Sequence, residues 1–303
     1  MDIFAEKRAG VPVVIVDGVR NFDIGKIFDC GQCFRFEAVE NSRHEKEFGG
    51  VAYGRYVAFG QDGDSLFIYG SDMDEFEGVW RRYLDIDRDY SLIDEDMLSA
   101  CPSPILREAA EMGRGIRILS QEPFETVISF IVSQNNNIPR IKKIIEAMSL
   151  SCGEEAKLFE GYESHSTGRS SLKAFPTAEA LVALGIEGLA ELKTGFRAKY
   201  IYDGALKIKD GVLDLEGVRA LDSTQAAMAA LMGVKGIGRK VASCALLFGF
   251  GRYDAFPVDV WIKRAAEKYF PEYGKDFSPS VFGKYAGVAQ QYLFYYERYS
   301  VGK

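Results

Sequence analysis

The sequence predicts an α+β protein with an antiparallel β domain at residues 1–100 and a larger helical region at residues 101–303. Short β-rich runs separated by turn residues fill the first 70 positions, and from about residue 103 onward almost every segment has helical period. The chain has 303 residues, of which 47% are apolar, so it can build one large core or two modest ones. No stretch approaches ~20 uninterrupted apolar residues, and we therefore expect no membrane-spanning segment.

Four runs of strand-forming residues predict the N-terminal sheet: VPVVIV, CFRFEAV, VAYGRYVAF and SLFIYG. The tetrapeptide QDGD joins the last two runs and is typical of a hairpin turn. A helix is expected after the strands, because five apolar side chains recur at intervals that place them on one helical face, namely Phe76, Val79, Trp80, Tyr83 and Leu84.

The helical region contains several segments with the same period. Three of them are recognised by their apolar positions, at 124–131, 138–148 and 177–192. Further along, QAAMAAL is a strong helix former, and the apolar run after Lys240 begins another helix. A glycine-rich turn separates these two, which predicts a helix-hairpin-helix at about 223–249.

The net charge of −7 argues at first against a polyanionic partner. The charges are unevenly distributed, however. Residues 1–100 contain 11 lysine and arginine against 21 aspartate and glutamate residues, whereas the remainder contains 26 against 23. This asymmetry permits a basic face on the helical region, and therefore a nucleic-acid partner, without requiring one.

The cysteines and histidines give little support for a metal site. The five cysteines form an odd number, which suits a reducing compartment, and Cys30 and Cys33 supply only two ligands without a second pair. We expect free thiols there, no metal and no cofactor. The N-terminus, MDIFAEKRAG, lacks the features of a signal or transit peptide, which predicts a cytoplasmic protein, or a nuclear one in a eukaryote.

The stretch GVKGIGRKVASC, residues 233–244, carries the pattern with the clearest chemistry. It is not a Walker loop, because Val241 stands where serine or threonine is required, and it lacks the third glycine and the preceding strand of a dinucleotide fingerprint. Gly236 and Gly238 would let exposed backbone N–H groups at the start of a helix approach a phosphate. An ordinary helical hairpin that uses glycine as a cap is the alternative.

Lys240 and Asp259 are the candidate catalytic residues. A lysine that is crowded by Arg239 at the edge of a buried helix can act as an amine nucleophile, while a nearby carboxylate stabilises developing positive charge. Both residues also have ordinary interpretations. Lys240 can be a surface lysine, and Asp259, which lies in FPVDVW, can cap the helix that follows.

GIGRKVASC followed by FPVDVW resembles the motif of the helix-hairpin-helix DNA glycosylases, and further segments resemble the 8-oxoguanine DNA glycosylase family in the family's order. These are CGQCFRF, SQNNNIPR, TGFRAKY and YAGVAQQYLF, together with Cys244 at the family's pocket cysteine. The resemblance spans most of the chain and implies a TBP-like sheet with a helix, packed on a helical core of two subdomains. No cysteine follows Cys244, which disfavours the iron-sulfur relatives.

The resemblance also implies a role for each site residue. Lys240 would attack the sugar C1′ and form a Schiff base, and Asp259 would stabilise the oxocarbenium-like sugar. Four residues would form the base pocket, namely Gly31, Cys244, Gln290 and Phe294. Phe196 would enter the duplex in place of the extruded base. The cytosine left unpaired opposite it, the estranged cytosine, would be contacted by Asn135, Arg140 and Arg197. Gly236 and Gly238 would hold a neighbouring phosphate.

Several of these residues have structural alternatives. The asparagines at 135–137 can form a loop that uses the tolerance of asparagine for positive φ, and Phe196 can belong to the core. Gln290 and Phe294, four residues apart, can simply pack together on an amphipathic helix.

The implied function is excision of 8-oxoguanine from double-stranded DNA, best opposite cytosine, with a weaker lyase step. We expect the protein to be a monomer and to have no membrane partner. Two residues depart from the family pattern. Trp261 stands where some members have a histidine that contacts phosphate, and Lys235 replaces the proline usual before the hairpin glycine. We therefore expect the phosphate contacts, and not the activity, to differ from those of the family. The alternatives are a superfamily glycosylase for another damaged or mismatched base, a non-catalytic DNA-binding module and a purely structural helical protein.

Overall fold

The computed structural model describes residues 1–165, 172–271 and 278–300. Its N-terminal part contains six strands, which are β1 (Asp2–Arg8), β2 (Val11–Asp17), β3 (Phe36–Ala38), β4 (Lys46–Ala52), β5 (Arg55–Asp62) and β6 (Ser65–Tyr69). They form one antiparallel sheet in the order β1-β2-β6-β5-β4-β3. Helices make up most of the rest, and the α+β class predicted from the sequence is confirmed.

The sheet is covered on both faces, which explains why VPVVIV contains no polar side chain. Val14 and Val16 of β2 belong to a buried cluster that includes Trp80, whereas Val13 and Ile15 belong to a second cluster. Successive side chains of a strand point to opposite faces, so in a strand that is buried on both sides neither alternating set faces solvent, and both sets are apolar.

The run VAYGRYVAF, predicted as one strand, is instead divided between β4 and β5. Tyr53 and Gly54 form the turn between them, with φ angles of 51° and 69°. Tight hairpins with two positive φ angles usually contain Asn-Gly or Asp-Gly. Because a tyrosine stands at the first of these positions here, the sequence pattern did not predict the turn. The turn predicted at QDGD is confirmed, because Asp62 and Ser65 pair where β5 meets β6.

CFRFEAV contributes only the three residues of β3 to the sheet, and a helix that the sequence did not predict precedes it. This helix, α1 (Ile24–Asp29), has six residues and is too short to display a helical period. Asp23 caps it by accepting a hydrogen bond from Lys26 N at 3.2 Å.

The other α-helices run in chain order from α2 (Met73–Glu75) through α3 (Arg81–Tyr83), α4 (Tyr90–Ala100), α5 (Pro104–Gly113), α6 (Pro123–Val132), α7 (Ile138–Cys152), α8 (Ala178–Leu189), α9 (Ala198–Lys209), α10 (Leu215–Ala220), α11 (Thr224–Leu231), α12 (Arg239–Phe250) and α13 (Val260–Tyr269) to α14 (Ala286–Ser300). Segments of π- or 3-10-helix lie at Phe76–Trp80, Tyr162–His165, Ala190–Thr194, Gly195–Arg197 and Pro279–Tyr285. No helix in the described part of the chain is long and apolar enough to cross a membrane.

The helices predicted from apolar period are confirmed. The segment at 177–192 forms α8 and the π-helical turn after it, although Gly185 interrupts the helix with a φ of 73°. The predicted glycine turn separates α11 from α12.

The helical core is built around α12. Each of its residues from Val241 to Phe250 is buried, and α6 packs along it. Phe130 of α6 stacks on Phe248 of α12 with ring centroids 5.5 Å apart. The buried residues of α4 also belong to this core. The domain boundary at residue 100 stays a prediction.

Gln32 ties the loop that follows α1 to the segment between α5 and α6. Its buried Nε2 donates to Ile27 O at 3.1 Å and to Arg117 O at 2.8 Å, and its Oε1 accepts from Leu119 N at 2.9 Å. Gln121 Nε2 donates to the Gln32 carbonyl oxygen at 2.7 Å. Since leaving a buried amide group unbonded is costly, these four bonds hold the loop firmly at Gln32.

Candidate active site

A cavity of about 380 Å³ lies where α6, α12 and α14 meet the loop after α1. This volume is within the range of small-molecule sites in proteins. Six of the predicted site residues line it, namely Gly31, Lys240, Cys244, Asp259, Gln290 and Phe294. The fold therefore brings together residues that the sequence separates widely.

Lys240 reaches the cavity from the first turn of α12. It is half-buried, and its Nζ donates a hydrogen bond to Ser133 Oγ at 3.1 Å. The same Nζ lies 5.3 Å from the centroid of the Phe130 ring. Ser133 Oγ in turn donates to the Phe130 carbonyl oxygen at 2.8 Å, so its lone pairs are available to the amine. The interpretation of Lys240 as an ordinary surface lysine is therefore wrong.

Asp259 caps α13 and also lines the cavity. Its Oδ1 accepts a hydrogen bond from Ile262 N at 2.9 Å, which confirms the capping interpretation. The two candidate catalytic groups have separate partners, because Lys240 Nζ is bonded to Ser133 and Asp259 Oδ1 to a backbone amide.

Cys244 lies one helical turn after Lys240 and is buried. Burial raises the pKa of its thiol, and the neighbouring charge of Asp259 raises it further, while Lys240 opposes the change. The thiol is therefore protonated and uncharged at neutral pH, and it forms an apolar part of the cavity wall. Cys30 and Cys33 are free buried thiols, as expected, and burial raises the pKa of Cys30 to about 12.

Gln290 and Phe294 lie one turn apart on α14, and both line the cavity instead of only packing against each other. Gln290 is buried, and its Oε1 accepts from Gln291 Nε2 at 2.8 Å. Gly31 lies opposite Phe294: a Cβ atom added at Gly31 would be 3.7 Å from the phenyl ring. With a φ of +77°, position 31 favours glycine, which also leaves the backbone open to the cavity.

The glycine turn before α12 packs on α9. Gly236 has a φ of +82°, and a Cβ atom there would clash with the ring of Tyr200. Gly238 is the N-cap of α12 and supplies no side-chain cap, and a Cβ atom added to it would meet open space. Asp203 holds the turn by accepting from Lys235 N at 2.8 Å. Because Gly238 has no side chain, the N–H groups of the first turn of α12 have no side-chain acceptor among the described residues.

Four predicted contact residues lie outside the cavity lining. Phe196 is 49% exposed, so its assignment to the core is wrong. Arg140 and Asn135 are also exposed, and Asn135 adopts a φ of 46°, in agreement with a loop that uses this property of asparagine.

Arg197 differs from these three because it is buried and its guanidinium binds backbone carbonyl oxygens. It donates to Gln134 O, to Asn135 O at 2.9 Å and to Thr194 O at 3.1 Å. Desolvation lowers the pKa of Arg197, and the nearby charge of Arg140 adds to this effect. Its predicted contact with a base stays a prediction.

Sequence reasoning missed Ser133, Tyr200 and Asp203, which support the lysine and the glycine turn. Ser133 lies in SQNNNIPR, but its contact with Lys240 joins residues 107 positions apart and depends on the packing of α6 against α12. In the described ranges, no group of three or more His, Cys, Asp and Glu residues could hold a metal ion. The expectation of no metal and no cofactor stays a prediction.

Comparison with protein-family models gives two adjoining matches. Residues 14–127 match the model described as 8-oxoguanine DNA glycosylase, N-terminal domain. Residues 128–277 match the HhH-GPD superfamily base excision DNA repair protein.

Two curated relatives are similar over long segments. The N-glycosylase/DNA lyase OGG1 of Arabidopsis thaliana is 35% identical over 63% of this chain and 54% of its own length. The probable N-glycosylase/DNA lyase of Methanothermobacter thermautotrophicus is 30% identical over 75% of each chain. The match to the first of these, and that to an N-glycosylase/DNA lyase of Saccharomyces cerevisiae, span only about half of the relative's length.

Solved structures resemble the whole fold. The 8-oxoguanine glycosylase/lyase of Clostridium acetobutylicum, in complex with dsDNA containing cytosine opposite 8-oxoG, has a TM-score of 0.86 at 36% identity, covering 99% of both chains. MBOgg1 in complex with a low affinity DNA ligand also has a TM-score of 0.86, at 39% identity and complete coverage of both chains.

We predict that Gly236→Ala lowers the free energy of unfolding by about 2–4 kcal/mol, because the new methyl group clashes with Tyr200 and the backbone is at positive φ. Gly238→Ala is the matched control, since its Cβ meets open space at a φ of −96°, and we expect it to cost less than about 1 kcal/mol. Urea unfolding of both variants measures the difference, and equal losses would contradict the assigned packing.

Proposed function

The chain belongs to the 8-oxoguanine DNA glycosylase family, and from this premise we propose that it is an N-glycosylase and DNA lyase that removes 8-oxoguanine from duplex DNA in base excision repair. One observation carries the proposal. An amine, a carboxylate, an amide side chain and an aromatic ring, supplied by Lys240, Asp259, Gln290 and Phe294, line a single cavity of a size that suits one base.

The substrate base must leave the DNA stack to enter this cavity, at a cost of a few kcal/mol in lost stacking and pairing. Phe196 supports this step, because its exposed ring can fill the space that the base vacates. Asn135 and Arg140 are exposed beside it and would bond the estranged cytosine. Arg197 would join that contact, and it also fixes the carbonyl oxygens of Gln134 and Asn135 in the loop behind it.

Recognition of the extruded base would depend on few groups. 8-Oxoguanine has a hydrogen on N7 where guanine has a lone pair, and the Gly31 carbonyl oxygen would accept that hydrogen. Gln290 offers both a donor and an acceptor to the pairing edge of the base. Phe294 would stack on one face, and the uncharged thiol of Cys244 suits the other face because it is buried and protonated.

In the proposed reaction the lone pair of Lys240 Nζ attacks the sugar C1′. A bond from Nζ to C1′ forms as the glycosidic bond breaks, and the proton that Nζ releases on bonding C1′ passes to the departing base. The C1′–O4′ bond then breaks, and the second Nζ proton passes to O4′, which leaves a C1′=Nζ Schiff base. In the β-elimination step C2′ loses a proton to solvent, a C2′–C3′ double bond forms, and the C3′–O bond breaks to release the 3′ phosphate. Asp259 would stabilise the positive charge that develops on the sugar.

The start of α12 would hold a phosphate next to the extruded nucleotide. Gly238 leaves room for a close approach, and the free N–H groups of the first turn, together with the helix dipole, favour an anion. Double-stranded DNA is therefore the proposed partner, and the monomeric state stays a prediction.

We predict that Asp259→Asn separates capping from catalysis. Asparagine is as good an N-cap as aspartate, so the free energy of unfolding changes by less than about 1 kcal/mol. The negative charge is lost, however, and the single-turnover rate of 8-oxoguanine release from a duplex with cytosine opposite falls by about 100-fold or more. An unchanged rate in a folded variant would leave Asp259 with a capping role only.

We predict that Gln290→Leu lowers the same release rate by about 10- to 100-fold, because the variant loses the hydrogen bonds to the base edge while keeping a side chain of similar size. Affinity for undamaged duplex, measured at one salt concentration, stays within about twofold of the wild type, since that DNA places no base in the cavity. A wild-type release rate would overturn the assignment of Gln290 to base recognition.

A further inference from the structure

Three side chains at four-residue intervals form a stripe along α14, namely Gln290, Phe294 and Arg298. All three line the cavity, and at this spacing they lie on one face of the helix. The first two have proposed roles against the base. Arg298, two residues before the end of α14, has none so far.

Arg298 links α14 to the end of α1. Its Nη1 donates to the backbone carbonyl oxygen of Asp29 at 2.8 Å, and its Nη2 lies 3.6 Å from Asp29 Oδ1. The neighbouring hydroxyl of Tyr299 donates to Asp29 Oδ2, and the Arg298 guanidinium lies 5.0 Å from the centroid of the Tyr299 ring. We call this set of contacts, made by Arg298 and Tyr299 on Asp29, the Asp29 clasp.

The clasp acts two residues away from the backbone that faces the base. Asp29 is the last residue of α1, and Gly31 lies two residues later in the loop that follows this helix, opposite Phe294. On the other side, buried Gln32 ties the loop to Arg117 and Leu119. The loop is thus held against the segment between α5 and α6 by Gln32, and against α14 by Arg298.

The Gly31 carbonyl oxygen accepts no hydrogen bond from the residues that the structure describes. Its position relative to Phe294 and Gln290 therefore depends on contacts made by the neighbouring residues, among which the Asp29 clasp reaches α14. Arg298 is the anchor on the same helix as the two base-contacting side chains, so it couples the position of the carbonyl oxygen to theirs.

We propose that Arg298 is a positioning residue for base selectivity: through the Asp29 clasp it fixes the Gly31 carbonyl oxygen relative to Gln290 and Phe294. This inference rests on the proposed function of the cavity. An error of about 1 Å in the placement of a reacting group can reduce a rate about 100-fold. Loss of the Asp29 clasp would therefore weaken the hydrogen bond from the base N7–H to the Gly31 carbonyl oxygen.

A role in overall stability does not account for the clasp. Asp29 is 55% exposed and Arg298 28% exposed as side chains, and ion pairs at such positions contribute little to folding. The hydrogen bond to the Asp29 backbone is the better-defined contact, and it requires a donor that reaches across from α14.

The test compares two substrates. Arg298→Leu is assayed for release of 8-oxoguanine from a duplex with cytosine opposite, and separately for nicking of a duplex that carries a preformed abasic site, which needs Lys240 but no base contact. We expect release to fall by about 10- to 100-fold and nicking to stay within about twofold of the wild type.

Two further variants refine the result. Arg298→Lys keeps a donor for the Asp29 carbonyl oxygen without the fork of the guanidinium, and we expect it to restore part of the release rate. Lys284→Leu is the matched control. This variant removes the ion pair between Lys284 and Asp96, whose charged atoms are 2.6 Å apart and which also joins two helical segments. Neither residue lines the cavity, so we expect both activities to stay unchanged.

Wild-type release by Arg298→Leu, or an equal loss of release and nicking, would overturn the positioning role. Failure of the proposed function gives a different result, because the wild-type protein itself would then neither release 8-oxoguanine nor nick the abasic duplex.

Discussion

The site depends on one constraint: α12 is buried along almost its whole length, yet its first turn opens into the cavity. Burial from Val241 to Phe250 fixes the helix against α6, so Lys240 meets Ser133 and Phe130 in a defined geometry. The chain reaches this helix through Gly236, which must lack a Cβ atom because Tyr200 occupies the space. A side chain at that position would displace the turn and, with it, the start of α12.

Much of the fold could be predicted because its signals are local. VPVVIV and SLFIYG carry strand propensity in their own residues, and α6 and α7 are long enough to show helical period. The errors have equally local causes. Tyr53 stands in a turn that normally contains asparagine or aspartate, and α1 is too short for a periodic pattern.

The site was less accessible to sequence reasoning where it depends on distant contacts. Lys240 and Asp259 belong to recognisable motifs, and the family resemblance supplied Gly31, Gln290 and Phe294. Ser133, Tyr200 and the partners of Arg298 act through packing between elements far apart in the chain, which no local pattern records. Arg197 shows a further limit of sequence reasoning. Its residue type indicates a positively charged group, but only the structure shows that its guanidinium binds backbone carbonyl oxygens.

The chemistry proposed for this cavity depends on the amine of Lys240 as the nucleophile. Its most direct test is to incubate the protein and Lys240→Gln with a duplex carrying one 8-oxoguanine opposite cytosine, in the presence of borohydride, which reduces a Schiff base to a stable amine. This role of Lys240 predicts a covalent protein–DNA complex with the wild type and none with the variant. Tight binding by both proteins without any trapping would contradict it, and would identify the glycine turn as the phosphate grip of a non-catalytic DNA-binding module.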